Sequence, residues 1–215
     1  MKLLIVSATD GEVAIAKKYI AEGGKTSHQV HMLTTGVGQI ATTFALTKEL
    51  CANQYDLVLQ AGVGGSFDKN IPLGSLVKIS AERYGDLGAE DHDEYLDIFS
   101  MGLIPVDEHP HSGGWLVAPA SSLADRIDLP AAPGLTVSTV SGSERTIAMR
   151  MQQYGCQVES MEGAALHYTC LQLGVPFAQV RAISNYVIPR DKSQWQMKDA
   201  IINLNNWLID FLSKG

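Results

Sequence analysis

Long apolar runs are missing from this sequence. Its uninterrupted hydrophobic stretches, such as Leu3 to Val6, fall far short of the roughly 20 residues a bilayer-spanning helix needs. No basic segment leading into an apolar core opens the chain, so a secretory leader is not expected and the cytoplasm is the expected location. Cysteine is scarce as well: Cys51, Cys156 and Cys170 are odd in number, unrelated in spacing and without a CxxC pair. That argues against a disulfide framework or a zinc site and for three reduced core thiols. Cations are outnumbered, with 16 Lys plus Arg against 23 Asp plus Glu and a formal charge of −7. Such a chain repels phosphate backbones and anionic membranes, which excludes nucleic acid and membrane as expected partners. There is no Walker motif, and His109 and His111 read as ordinary loop histidines rather than metal ligands.

What is present is an ordinary globular composition, 215 residues of which 46% are hydrophobic and 18% charged, enough for one domain spanning 1–215. Apolar β-rich runs alternate with segments of helical period, the pattern of an α/β domain around one largely parallel or mixed sheet. Strands are expected at Lys2 to Ala8, His28 to Thr34, Asp56 to Ala61, Ser75 to Glu82, Leu135 to Val140 and Phe177 to Ile183. The first helix is expected at Val13 to Ile20. Another, Met161 to Leu173, carries Met161, Ala164, Ala165, Tyr168 and Leu171 on one face, with Ser160 as its cap and Gly174 as its stop. The last runs from about Ser193 to Leu212, its apolar positions on one face. Gly85 to Gly114 is the least regular stretch and holds Asp86, Glu90, Asp91, Asp93, Glu94 and Asp97, the composition of a functional or mobile loop.

Four short segments follow strands and carry chemistry. TDGE (Thr9 to Glu12) has the spacing of a capping box, but also leaves a carboxylate at the end of the first strand. AGVGGSF (Ala61 to Phe67) follows the third strand; it reads as a plain turn or as glycines that let a ligand approach the backbone. In VESMEGAA (Val158 to Ala165), Glu162 falls in the first helical turn, as a dipole-matching acid or as an acceptor for two hydroxyls. RAISN (Arg181 to Asn185) ends a strand on an amide that both donates and accepts, or on a turn-forming Asn. The carboxyl ends of parallel strands share one sheet edge, so the four segments can meet in one pocket. GVGQIA (Gly36 to Ala41) fits a dinucleotide fingerprint but follows the second strand, its ribose-binding acid would have to be Asp56 at the start rather than the end of a strand, and no partner half follows, so its glycines are assigned to tight turns and close helix–sheet contact.

In this order and spacing, SATDGE, AGVGGSF, SMEGAA and AISN resemble the purine nucleoside phosphorylase and nucleosidase superfamily over essentially the whole chain. Within it, Tyr84 to Ile98, VESMEGAALHY and Arg181 to Trp195 are similar to the futalosine hydrolase family more than to the methylthioadenosine nucleosidases. The resemblance implies a three-layer α/β/α fold with a central mixed twisted sheet. It also implies a hydrolase that releases hypoxanthine from futalosine, a purine nucleoside, in menaquinone biosynthesis, without metal or organic cofactor. Related phosphorylases carry Arg just before the Gly-rich segment where this chain has Gln60, and a missing cation argues against phosphate.

On the same resemblance Glu12 activates water, Glu162 holds the ribose hydroxyls, and Asn185 stabilises the departing base where adenine-cleaving relatives have Asp. Gly64, Gly65 and Met161 line the substrate, and Ser143 and Glu144 fall where the family contacts the base. Arg145, Arg190 and Lys192 are candidates for the substrate carboxylate. In related dimers the partner closes the 5′ side, so a homodimer or higher homo-oligomer is expected, with Phe99 or Met101 reaching across.

Overall fold

The computed structural model describes residues 1–92, 94–120 and 124–214; of the acids named above, Asp93 lies outside them. The strands are β1 (Lys2–Ser7), β2 (Gln29–Thr34), β3 (Leu57–Ser66), β4 (Leu76–Tyr84), β5 (Gly88–Asp91), β6 (Glu94–Asp97), β7 (Leu116–Val117), β8 (Ala131–Thr136), β9 (Val158–Ser160) and β10 (Phe177–Tyr186). The α-helices are α1 (Ala14–Ala21), α2 (Gln39–Ala52), α3 (Glu144–Tyr154), α4 (Gly163–Leu173) and α5 (Met197–Ser213).

The sheet is mixed, as expected. β1 pairs in parallel with β2 and β3, and β3 in parallel with β10; β10 then pairs antiparallel with β4, and β4 and β9 flank β8 in parallel. β9 returns to pair antiparallel with the end of β3, so β3, β10, β4, β8 and β9 close a circuit on which β1 and β2 are an extension. Closure depends on small residues and bulges, which let strands bend. At Gly64 a Cβ would come 3.0 Å from Val158 Cγ1 and 3.1 Å from the Glu159 carbonyl, so a side chain there would crowd β9 and push it back by a few tenths of an ångström. Register shifts fall between Ile183 and Asn185 in β10 and between Ile79 and Ala81 in β4.

Helices cover both faces of the extension, which explains the continuous apolar run of β1. Leu3 and Ile5 pack with Leu59, Val180, Leu204 and Leu208 under α1 and α5, whereas Leu4 and Val6 pack with Leu46, Val58, Leu166 and Phe177 under α2 and α4.

Several boundaries differ from expectation. β3 does not stop at Ala61: the glycines read as a turn continue the strand to Ser66, held by pairing with β10 and β9. β10 runs past Ile183 to Tyr186 for the same reason. The strand expected at Leu135 to Val140 is Ala131–Thr136, where Pro133 lies opposite the β4 bulge, so its missing N–H interrupts no regular ladder. The short β9 was not expected. α4 starts at Gly163 rather than Met161, with Glu162 as N-cap in place of Ser160, and α5 starts at Met197 after a separate 3-10 turn, Lys192–Gln194. The stretch from Gly85 is more ordered than expected, with a β5–β6 hairpin in it. Cys156 and Cys170 are core thiols as expected; Cys51 is exposed.

α5 anchors the loop after β1 through one buried amide. Asn205 Oδ1 accepts from the Ala16 N–H at 2.9 Å, and its Nδ2 donates to the Glu12 carbonyl at 2.8 Å and the Ile201 carbonyl at 2.7 Å. Removing it strands a buried donor and acceptor. Asn205→Ala should lower the unfolding free energy by ~2–4 kcal/mol in urea denaturation, against less than about 0.5 kcal/mol for the exposed neighbour in Asn206→Ala.

Candidate active site

β1, β3 and β10 run parallel and bring their carboxyl ends to one edge, where the segment after β9 also delivers Glu162. After β1 the chain turns at Thr9 into a 3-10 turn, Asp10–Val13, that buries Glu12. Glu12 Oε2 accepts from the Thr9 N–H at 3.0 Å and its hydroxyl at 3.2 Å, which is the capping arrangement. Oε1 instead accepts from the Val63 N–H on β3 at 3.1 Å. The cap occupies one oxygen and the other faces the sheet edge, so the two readings of TDGE hold together.

Glu162, at the N-terminus of α4, is 5% exposed. Its Oε1 accepts from the Gly38 N–H at 3.0 Å, and Oε2 lies 3.4 Å from Arg181 Nη1. The glycines of GVGQIA therefore hold a backbone turn against Glu162: Gly36 and Gly38 have φ of +87° and +89°, and a Gly36 Cβ would press on Ala41 at 3.2 Å.

Arg181 was not anticipated. It lies in β10 at 1% exposure, donating from Nη2 to Gln60 Oε1 at 2.9 Å and from Nη1 to the Val63 carbonyl at 3.2 Å as well as facing Glu162. A Cβ on Gly62 would come 2.6 Å from Arg181 Nη1 and 2.9 Å from Glu12 Oε1, so this glycine leaves room for both groups. The cation inferred to be missing beside Gln60 is thus present, supplied from β10. The available signal was an arginine inside an apolar strand, which folded proteins rarely bury unpaired.

Next to these charges is a cavity of about 220 Å³ whose lining includes Gly64, Gly65, Ser141, Met161, Asn185 and Arg190. Asn185 Nδ2 donates to the Tyr186 carbonyl at 3.1 Å and Oδ1 accepts from the Ser184 hydroxyl at 2.8 Å, which sets the amide's orientation and leaves one N–H and one lone pair. Glu159, also unanticipated, lines the same cavity. It accepts from the Ser141 N–H and hydroxyl at 2.9 and 2.6 Å and pairs with buried Arg150 at 3.1 Å. Asp86, from the acidic stretch, accepts from the Ser138 and Thr139 N–H groups and faces Arg150 at 3.6 Å, so it braces the loop after β8.

Of the other candidates, Arg190 lines the Asn185 cavity and the rest stand apart from it. Ser143 is the N-cap of α3, accepting from the Thr146 N–H at 3.2 Å, and Glu144 is exposed in that helix's first turn. Ser143 and Arg145 line a separate cavity of about 500 Å³ with Asp86, Glu90 and Glu94. The Arg190 guanidinium lies over the Trp195 ring at 5.5 Å, and Lys192 is exposed on its 3-10 turn. Phe99 is half-buried edge-on to His111 of its own chain at 5.2 Å, and Met101 is exposed. Buried His111 contacts the Glu108 carbonyl and Tyr84 hydroxyl. Among the described residues, no group of three or more His, Cys, Asp or Glu could hold a metal ion.

The phosphorylase superfamily model matches residues 4–213. The chain belongs to that superfamily. It is 35% identical to the futalosine hydrolase of Streptomyces coelicolor over 96% of this chain and 93% of that one. It is 31% identical to the futalosine hydrolase of Thermus thermophilus, over 79% and 75% respectively. Among solved structures of the superfamily fold, a 5′-methylthioadenosine/S-adenosylhomocysteine nucleosidase from Colwellia psychrerythraea in complex with adenine superposes with a TM-score of 0.79. That match has 23% identity over 99% of this chain and 94% of the other.

Buried Arg181 compensates Glu162 directly, and removing it leaves an unpaired carboxylate in the core. Arg181→Met should destabilise the protein by ~3–5 kcal/mol. Adding Glu162→Gln should recover at least about 1 kcal/mol of that loss in a double-mutant cycle measured by chemical denaturation.

Proposed function

We propose that the protein hydrolyses the N-glycosidic bond of futalosine, releasing hypoxanthine and dehypoxanthine futalosine as a step of menaquinone biosynthesis. The observation that carries this reading is the placement of Glu12 and Glu162 about one buried guanidinium, beside a cavity edged by Asn185. The similarity to two futalosine hydrolases supports the choice of substrate.

In this reading the ribose lies against Met161 with its 2′- and 3′-hydroxyls donating to Glu162, which Arg181 and the Gly38 N–H hold in place. As the glycosidic bond lengthens, positive charge grows on the ribosyl ring, and the two carboxylates stabilise it. Glu12 takes a proton from the water that attacks C1′. The free N–H of Asn185 donates to N7 of the leaving base. A 6-oxopurine suits an amide there, since an amide offers no proton to transfer. Two carboxylates against one guanidinium leave the site net negative, which disfavours a phosphate nucleophile and favours water.

The same reading makes the protein a cytoplasmic homo-oligomer. Val37, Ile40 and Phe44 on and before α2 are 57%, 89% and 71% exposed, and Leu87 and Leu103 are exposed nearby in the chain segments that carry Phe99 and Met101. A second copy covering this apolar face would account for it and could bring Phe99 or Met101 to the 5′ side of a neighbouring site.

The test is incubation with futalosine, inosine or methylthioadenosine, with and without phosphate, and identification of the released base and sugar. Phosphate-independent hypoxanthine from futalosine is expected. Adenine from methylthioadenosine without hypoxanthine from futalosine would overturn the substrate, and phosphate-dependent sugar phosphate would overturn hydrolysis. Glu12→Gln and Glu162→Gln should each lower kcat/KM by roughly 10²–10⁴-fold, and Asn185→Asp should gain activity toward adenine nucleosides.

A further inference from the structure

Beneath the first turn of α4 is a buried polar group that the mechanism above does not use. Glu82, on β4, is 1% exposed. Glycines on two elements vacate space for its carboxyl group: a Cβ on Gly163 would overlap Oε1, and one on Gly134 would come within 2.5 Å of it. Oε2 accepts from the Thr136 hydroxyl at 2.8 Å, and Thr136 Oγ1 in turn accepts from the Ala164 N–H at 2.7 Å, so Glu82 supports the turn that begins with Glu162. Gln179 Nε2 lies 3.0 Å from Oε1.

The hydrogen bonding beyond Gln179 is inconsistent with this amide orientation if the ring is neutral. His167 is fully buried, and its Nδ1 lies 2.8 Å from the Leu116 carbonyl, which only accepts, so Nδ1 carries the proton. Its Nε2 and Gln179 Oε1 are both buried without a partner, although the two side chains lie against each other. In a neutral ring with the proton on Nδ1, Nε2 and Oε1 are both acceptors, so neither can satisfy the other. Either His167 is an imidazolium, or the Gln179 amide is turned over so that Nε2 donates to His167 and Oε1 faces Glu82, which must then donate. An imidazolium edge-on to Phe177 at 4.6 Å in a dry core is the costlier choice.

We propose that Glu82, Gln179 and His167 form an uncharged hydrogen-bonded relay in which Glu82 is the neutral acid, and that Glu82 is a positioning residue for Glu162. Burial pushes Glu82 up to about 7 and His167 down to about 4, both in favour of the neutral chain. The groups facing Glu82 are Gln179 and Arg181 on β10, Thr136 on β8, Cys156 before β9 and Glu162 at the start of α4, with His167 beyond Gln179. Of the charged ones Arg181 favours ionisation and Glu162 opposes it. While Glu82 is neutral, Glu162 is the one carboxylate paired with Arg181 among the described residues. When pH rises past neutrality and Glu82 ionises, a second buried carboxylate competes for the same guanidinium and repels Glu162, and the hold on the ribose weakens.

The kinetic half rests on the nucleosidase reading; the relay itself does not. Infrared spectra of the wild-type protein near pH 6 should show a protonated carboxyl band that disappears in Glu82→Gln, and nitrogen NMR should show His167 neutral with its proton on Nδ1. Wild-type KM for the nucleoside should rise several-fold from about pH 6 to about pH 8.5 with a smaller change in kcat, and Glu82→Gln should hold KM near its low-pH value throughout. An imidazolium signature, or the absence of any protonated carboxyl band near pH 6, overturns the relay from wild-type spectra even if the variant folds poorly. A pH-dependent KM retained in Glu82→Gln overturns the positioning role. A relay with the expected spectra in a protein that cleaves no nucleoside overturns the nucleosidase reading and the positioning role together, and leaves the relay standing.

Discussion

A buried guanidinium sets the terms for the rest of this structure. Arg181 is out of water, so the fold must supply it with acceptors and at least one anion; Gln60 and the Val63 carbonyl do so from β3 and Glu162 from the start of α4. Each supplier constrains the chain. Gln60 and Val63 require β3 to lie directly beside β10, Gly62 must lack a side chain where the guanidinium and Glu12 converge, and α4 must begin where Glu162 reaches both Arg181 and Gly38. The closed strand circuit is the backbone arrangement that satisfies these demands together.

Closure also explains which elements could be read locally. β1 and α5 were legible because their apolar patterns report on faces covered by a single layer each. β3 was legible only to Ala61. Beyond it Gly62, Gly64 and Gly65 have the local signature of a turn, and only the approach of β9 and β10 makes them strand. β8 was displaced in the reading because Ala131–Thr136 contains Pro133 and Gly134, a proline accommodated by a bulge in its neighbour and a glycine that vacates space for Glu82. Such residues answer to tertiary neighbours that no local window contains.

The site divides along the same line. Glu12, Glu162 and Asn185 end elements, and a polar residue at a strand or helix end advertises itself in sequence. Arg181 and Glu82 lie inside strands and were absorbed into the strand reading of their segments, and Glu159 lies in the short β9, which was read only as part of the motif around Glu162. A charge in such a strand is nevertheless informative, because burying it unpaired costs several kcal/mol. The three form two groups: Glu159 with Arg150 and Asp86 braces the loop after β8, and Arg181 with Glu162 and Glu82 lies under α4. Ser143 and Glu144 were drawn from the family resemblance alone, and the helix they begin has its own use for a capping hydroxyl.

The balance of charge under α4 links the fold to the reaction proposed for it. A cation-like ribosyl ring is stabilised by carboxylates, and each added carboxylate raises the cost of keeping the others ionised in the same dry volume. Arg181 pairs with Glu162, and the Thr9 and Val63 N–H groups hold Glu12, which leaves the site net negative without leaving either acid unsupported. A third anion at Glu82 would draw on the same Arg181. Holding Glu82 neutral through Gln179 and His167 keeps its hydrogen bond to Thr136, and so its support of α4, without adding a charge. The polar core can therefore brace Glu162 from below while Arg181 remains available to it from the side.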